Sequence, residues 1–174
     1  MGHSVLQVPI PVLDPFVRAR TAHYDEAYLS ADPAFVHAHI TVLGPFLDEV
    51  DEASAAVVAA IAGRVDPFDV RLAQLATFAD GVIHLRPEPA APFQKLTEEL
   101  WAAFPQCPPY GGEFLDTVPH LSLDLASDDV TEQSTRAALD LPADDRAERI
   151  DLAWYEPGNC RILRSFPLGE SSGV

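Results

Sequence analysis

Apolar and polar residues change places along this chain in short runs, not in long helical stripes. Residues 4–12 are apolar and β-rich, predicting a first strand that stops at Pro9 or Pro11. In 36–43, Val36, Ala38, Ile40 and Val42 alternate with His37, His39 and Thr41, the period of a half-buried strand, and Gly44-Pro45 ends it. Residues 68–77 and 82–86 predict two strands joined through Asp80-Gly81. The alternation returns in 118–125, and 150–155 with 160–166 predicts a closing hairpin.

Between these strands the period changes. Asp14-Pro15 pairs an N-cap residue with proline at the first helical position, predicting a helix over 15–28. Asp51 caps an Ala/Val-rich helix to about residue 62 with Gly63 as its stop, and its apolar positions 55–61 read as core. Phe93, Leu96, Leu100, Trp101 and Phe104 recur at helical spacing. Residues 105–112, rich in Pro and Gly, then form a loop that divides two lobes or flanks a site. A short helix begins at Asp128 or Asp129. Strands mixed with helices, several of them in hairpins, predict an α+β fold with largely antiparallel sheets.

A chain of 174 residues, 48% of them apolar, can bury a real core as one domain (1–174) or two small lobes sharing that core. Its 11 Lys and Arg against 27 Asp and Glu give a net charge of −16. That balance argues against coating long nucleic acid, which depends on many basic side chains releasing counterions. It excludes less for a small phosphorylated ligand, because charges beyond roughly 8 Å are largely screened and a few local donors can dominate a cleft. The acidic runs 48–52 and Asp144-Asp145 read as solvated helix ends and loops. No apolar run approaches the roughly 20 residues that span a bilayer, so no membrane partner is expected. The first residues lack the basic and cleavage features of a signal peptide, which makes the cytoplasm the expected compartment. Cys107 and Cys160 can pair, but two cysteines make no disulfide framework.

Two segments repeat one pattern: His39-Ile40-Thr41-Val42 and His120-Leu121-Ser122-Leu123. Each reads His-apolar-hydroxyl-apolar inside a predicted strand, so the imidazole and hydroxyl share one face while the apolar residues anchor the other. Composition alone produces two such hits in roughly one chain in a hundred. The pair of pairs has a clear chemical use. Opening a cyclic phosphodiester needs a base for water and an acid for the departing ribose oxygen. Two imidazoles near their ordinary pKa of about 6.5 divide those roles, while the hydroxyls donate to non-bridging phosphate oxygens. That chemistry calls for no metal or other cofactor.

With these motifs 81 residues apart, and with the flanks His39–Phe46 and Pro119–Leu123, the chain resembles the 2H phosphoesterase superfamily, in its 2′-5′ RNA ligase-like branch. The resemblance spans about residues 4–168. It implies a duplicated two-lobe α+β fold, antiparallel sheets facing a central cleft and helices outside. It also implies action on 2′,3′-cyclic phosphate or 2′-5′ linkages of nucleotides or short RNA. Carried over residue by residue, His39 and His120 are the catalytic pair, and Thr41 and Ser122 bind phosphate. The resemblance leans towards His120 as the base and His39 as the acid.

Other residues carry weaker expectations. Phe46 and Tyr110 lie in loops beside the motifs, where an aromatic ring can stack on a nucleobase or simply pack. Arg161 and Arg164, three apart in a strand, point to opposite faces, so at most one reaches the cleft. His84 reads as sheet surface. Two alternatives stand beside the enzyme: a non-catalytic nucleotide- or RNA-end-binding module, and a small zinc hydrolase using His37 and His39 with His84 or His120 as third ligand. No Cys-x-x-Cys or His-Glu-x-x-His pattern supports the zinc site.

Overall fold

In a computed structural model that describes residues 1–113 and 117–170, the strands assemble into two antiparallel four-stranded sheets. The first holds β1 (His3–Pro9), β2 (His39–Leu43), β7 (Arg149–Tyr155) and β8 (Arg161–Pro167), in the order β2-β1-β7-β8. The second holds β3 (Phe68–Thr77), β4 (Val82–Glu88), β5 (Leu121–Leu125) and β6 (Ala143–Ala147), in the order β5-β4-β3-β6. Each motif strand therefore lies at the edge of its own sheet, and the two edges, β2 and β5, pack against each other.

Among the described residues, four α-helices complete the α+β fold: α1 (Asp14–Tyr24), α2 (Glu52–Gly63), α3 (Ala91–Ala103) and α4 (Glu132–Ala137). Asp51 caps α2 by accepting the Ser54 N–H at 2.8 Å, satisfying one of the amides a helix start leaves open. From α2, Ala55, Val58, Ile61 and Ala62 enter the core; from α3, Phe93, Leu96 and Leu100 do. They meet Ile40 and Val42 of β2, Leu72 of β3, Leu85 of β4 and Leu121 of β5 in one continuous cluster. Burying a side chain of this size contributes about 1.5–3 kcal/mol. The alternation in both motif strands thus has a structural cause: the apolar residues hold the edges down, leaving His, Thr and Ser on the other face.

Several boundaries differ from the sequence pattern. Asp14 does not cap α1 but opens it, and its carboxylate reaches across to accept the N–H groups of His37 at 2.6 Å and Ala38 at 3.0 Å. Helix α1 stops at Tyr24, and Glu26–Tyr28 forms a separate 3₁₀ turn after Asp25. The short helix α4 starts later than Asp128 or Asp129, behind a reciprocal Thr131/Ser134 cap. Asp144-Asp145 is not loop but edge strand β6, where Asp144 takes two hydrogen bonds from Arg71 and Asp145 accepts the Val12 N–H. Charged residues on an edge also discourage pairing with another chain. Cys107 and Cys160 are both buried and both free. Among the described residues, no helix is long and apolar enough to cross a membrane.

Candidate active site

His39 is the first residue of β2, and His120 immediately precedes β5. The two rings are anchored by one device. His39 Nδ1 donates to the carbonyl of His37 at 2.7 Å, and His120 Nδ1 donates to the carbonyl of Val118 at 2.7 Å. A carbonyl can only accept, so Nδ1 carries the proton in both neutral rings and Nε2 keeps its lone pair. Each motif thereby uses its own backbone, two residues upstream, to fix the tautomer.

The surroundings differ. Tyr155 donates to Gln7 Oε1 at 2.6 Å, and its oxygen lies 3.4 Å from His39 Nδ1. Gln7 is wholly buried, in register with Thr41 on one side and Asp151 on the other. Asp151, also buried, accepts from Ser165 at 2.6 Å and from Arg149 at 2.9 Å. Burial holds the Tyr155 phenol far above its ordinary range, so it stays a donor at any working pH. His120 instead meets the edge of Phe78 at 4.8 Å, His84 at 5.4 Å and, roughly parallel, Tyr110 at 6.2 Å. His84 lies flat on Phe78 at 3.7 Å.

These walls set the charge states. His39 is half-buried, and the packing around its ring, followed by the nearby charge of His120, pulls its pKa down to about 4 against the His37 carbonyl. Burial also lowers His120, opposed by the Val118 carbonyl and by Asp80. Tyr110, which lines the cleft with His39 and Thr41, also lies against His120, so both imidazoles border the same cleft.

The cleft divides at His39 and Tyr155, which line both of its branches. One branch, about 690 Å³, also takes in Thr41, His3, Tyr110 and Glu113. The other, about 480 Å³, takes in Ser122, His37, Tyr24 and Tyr28. Arg20 and Tyr24 of α1 hold Asp124 of β5 there, with Arg20 Nε 2.6 Å from the carboxylate. Tyr110 adopts a left-handed backbone (φ 52°), and its N–H donates to the Gly44 carbonyl at 2.7 Å, tying the loop before the second motif to the end of the first. Such a conformation costs a tyrosine of order 1–3 kcal/mol, which the surroundings must offset. It sets the ring against His120.

A family model described as the 2′-5′ RNA ligase superfamily matches residues 8–159. This chain belongs to that family. The whole fold is similar to those of E. coli LigT complexed with 3′-AMP (18% identity, TM-score 0.59, covering 97% of this chain and 99% of that one) and TT0787 of Thermus thermophilus (20% identity, TM-score 0.60, covering 96% and 98%). None of the curated proteins compared with the chain matches it.

Within this 2H phosphoesterase frame, the structure sets Thr41 and Tyr110 in one branch with His39, Ser122 in the other branch with His39, and His120 beside Tyr110, and leaves Phe46 out. Phe46 is 5% exposed and packs edge-on against Phe104 in the core, so it offers no stacking surface. Arg161 lies over Trp154, and Arg164 pairs with Glu52; neither lines the cleft. His84 is fully buried rather than surface, because its sheet face is the cleft wall. His37 Nε2 accepts the Ser30 N–H at 3.2 Å, so the lone pair needed for the zinc pair with His39 is already taken. Among the described residues, no group of three or more His, Cys, Asp and Glu is placed to hold a metal ion. The sequence pattern gives no sign of Tyr155, Gln7 or His3, whose ring stacks on Tyr155 at 5.7 Å. They reach the site only through pairing of β1 with β7, which no local pattern reveals.

Proposed function

We propose that this protein is a phosphoesterase acting by two-histidine acid–base catalysis on 2′,3′-cyclic phosphate or 2′-5′ linkages of nucleotides or short RNA. One observation carries the reading: two imidazoles, each with Nδ1 bound to its own backbone, stand at facing sheet edges with a hydroxyl beside each. Thr41 and Ser122 donate to the non-bridging oxygens and hold phosphorus between the two Nε2 atoms. In hydrolysis, one Nε2 takes a proton from water as its oxygen bonds to phosphorus. The P–O bond to the ribose oxygen breaks, and the other imidazolium protonates that oxygen.

The walls favour an order of roles opposite to the one the family likeness suggested. His39, with its pKa near 4, is neutral at working pH and suits the base. Burial lowers His120 as well, but the Val118 carbonyl and the negative charge of Asp80 oppose it, so His120 suits the acid. Small ligands fit the acidic chain, and E. coli LigT has been crystallised with 3′-AMP, ATP and NADP+, each a small nucleotide.

A panel of 2′,3′-cyclic nucleotides, cyclic-ended oligonucleotides and 2′-5′-linked dimers, with products resolved by regiochemistry, tests the reading. Turnover that survives EDTA is expected, since no proton transfer here passes through a Lewis acid. Binding without turnover across the panel would instead make the protein a nucleotide- or RNA-end-binding module. Loss on chelation with recovery by zinc would favour a metal hydrolase.

A further inference from the structure

On the cleft face of the second sheet, one cation has no partner among the described residues. Arg86 follows His84 by two residues in β4, and the residues between and after it, Leu85 and Pro87, are buried on the opposite face. The register Leu85↔Leu121 and His84↔Ser122, continued by one step, sets Arg86 across from His120. Arg86 lies close enough to His84 for its charge to lower that imidazole's pKa. The guanidinium is exposed and, among the described residues, makes no hydrogen bond or ion pair.

Arg71 and Arg146 on the same sheet are committed to Asp144 and Asp69, and Arg20 to Asp124. The nearest acid along the strand, Glu88, is held at 3.0 Å by Gln74, the residue paired with Arg86 on β3. A neutral amide thus takes one oxygen of that carboxylate, and Arg86 makes no ion pair with it.

We propose that Arg86 binds the phosphate next to the scissile one, so that the preferred ligand is an RNA end with one nucleotide upstream and not a lone nucleotide. The proposal rests on the phosphoesterase reading for what occupies the two-histidine site. By the continued register Arg86 stands level with His120 and two residues along β4 from His84, the residue that pairs with Ser122, so it meets the phosphate neighbouring the one between the imidazoles. A guanidinium takes two phosphate oxygens at once, which suits a backbone phosphodiester. Past it towards β3 and β6 the charges are already paired, so a second flanking phosphate finds no free cation among the described residues there.

The test is equilibrium binding of 3′-AMP, ApAp and ApApAp to the whole protein. ApAp should bind roughly tenfold tighter than 3′-AMP at low salt, the scale of one charge-assisted contact, and ApApAp should add little more. Arg86→Gln should bring the ApAp advantage to about twofold or less, and should flatten the slope of log affinity against log salt by about 0.7, one phosphate's worth for a single strand. Arg86→Lys should keep part of the advantage, and Arg64→Gln, which removes a like charge from α2's end, should keep all of it. An unchanged ratio and slope in Arg86→Gln overturn the proposal, as does failure of the wild-type protein to bind ApAp. Arg86-dependent binding with no turnover of any cyclic nucleotide would overturn the phosphoesterase reading and leave this one standing.

Discussion

Behind His39 runs a polar chain, Tyr155 to Gln7, with Asp151 and Ser165 beyond it; around His120 stand the rings of Phe78, His84 and Tyr110. The two motifs are otherwise alike. Each histidine enters an edge strand, gives Nδ1–H to the carbonyl two residues upstream, and has its hydroxyl partner two residues on. Even the residues opposite those hydroxyls correspond: Gln7 faces Thr41 and His84 faces Ser122, both fully buried. Backbone geometry is therefore repeated while the walls are not. The repeated part fixes which nitrogen keeps its lone pair; the divergent part buries His39 to a pKa of about 4 and sets the charge of Asp80 against the lowering of His120, which in the proposed mechanism assigns base and acid.

The largest effect should come from the histidines themselves. His39→Ala and His120→Ala should each lose 10²–10⁴-fold in turnover, and the double variant should fall far short of the product, because the residues act as a unit. An activated leaving group needs no acid, so it should rescue His120→Ala and not His39→Ala. Rescue of His39→Ala alone would restore the opposite order of roles.

Next come the hydroxyls, which belong to the shared part of the comparison. Thr41→Val and Ser122→Ala should each cost about a hundredfold in kcat, roughly 3 kcal/mol of transition-state stabilisation, with circular dichroism unchanged. Equal losses would support one phosphate held symmetrically; wild-type rates in both would reduce them to strand residues.

The walls should show in the pH profile. For the free protein, kcat/KM should be bell-shaped, with an acid limb near pH 4 from His39 and an alkaline limb below 6.5 from the lowered His120. Tyr155→Phe leaves Gln7 Oε1 without its donor and should lower turnover about tenfold while moving the acid limb. Phe78→Leu should move the alkaline limb upward by opening His120 to water. If both substitutions moved the same limb, the two walls would not be acting separately.

The smallest effect is on stability. An unfolded histidine titrates near 6.5, whereas His39 in the folded protein resists protonation down to about 4. Between those values the unfolded state binds more protons, so stability present above pH 6.5 should fall as pH drops towards 4. His39→Gln should flatten that part of a urea-midpoint profile.

Much of this was legible in the chain. The alternation around His39 and His120 located the motif strands because one face is core, and Asp51 marked the start of α2 because its carboxylate does cap it. Two kinds of feature were not legible. Asp14 looked like a cap, but its carboxylate serves a segment 23 residues away. Tyr155, Gln7 and Arg86 gain their positions from strand pairing across the sheets, and a residue's own neighbours in sequence carry no trace of that. For Phe46 the loop position left stacking and packing both open, and the structure decides for packing, against Phe104.

The central claim is that His39 and His120 present Nε2 to one phosphate. Imidazole ¹⁵N spectra recorded during a titration with inorganic phosphate test it most directly. The account predicts the Nδ1–H tautomer in both neutral rings, and Nε2 shifts at both residues that saturate at a single Kd, with His37 unmoved because its Nε2 is already occupied by the Ser30 N–H. A response at only one of the pair, or two different Kd values, would contradict it.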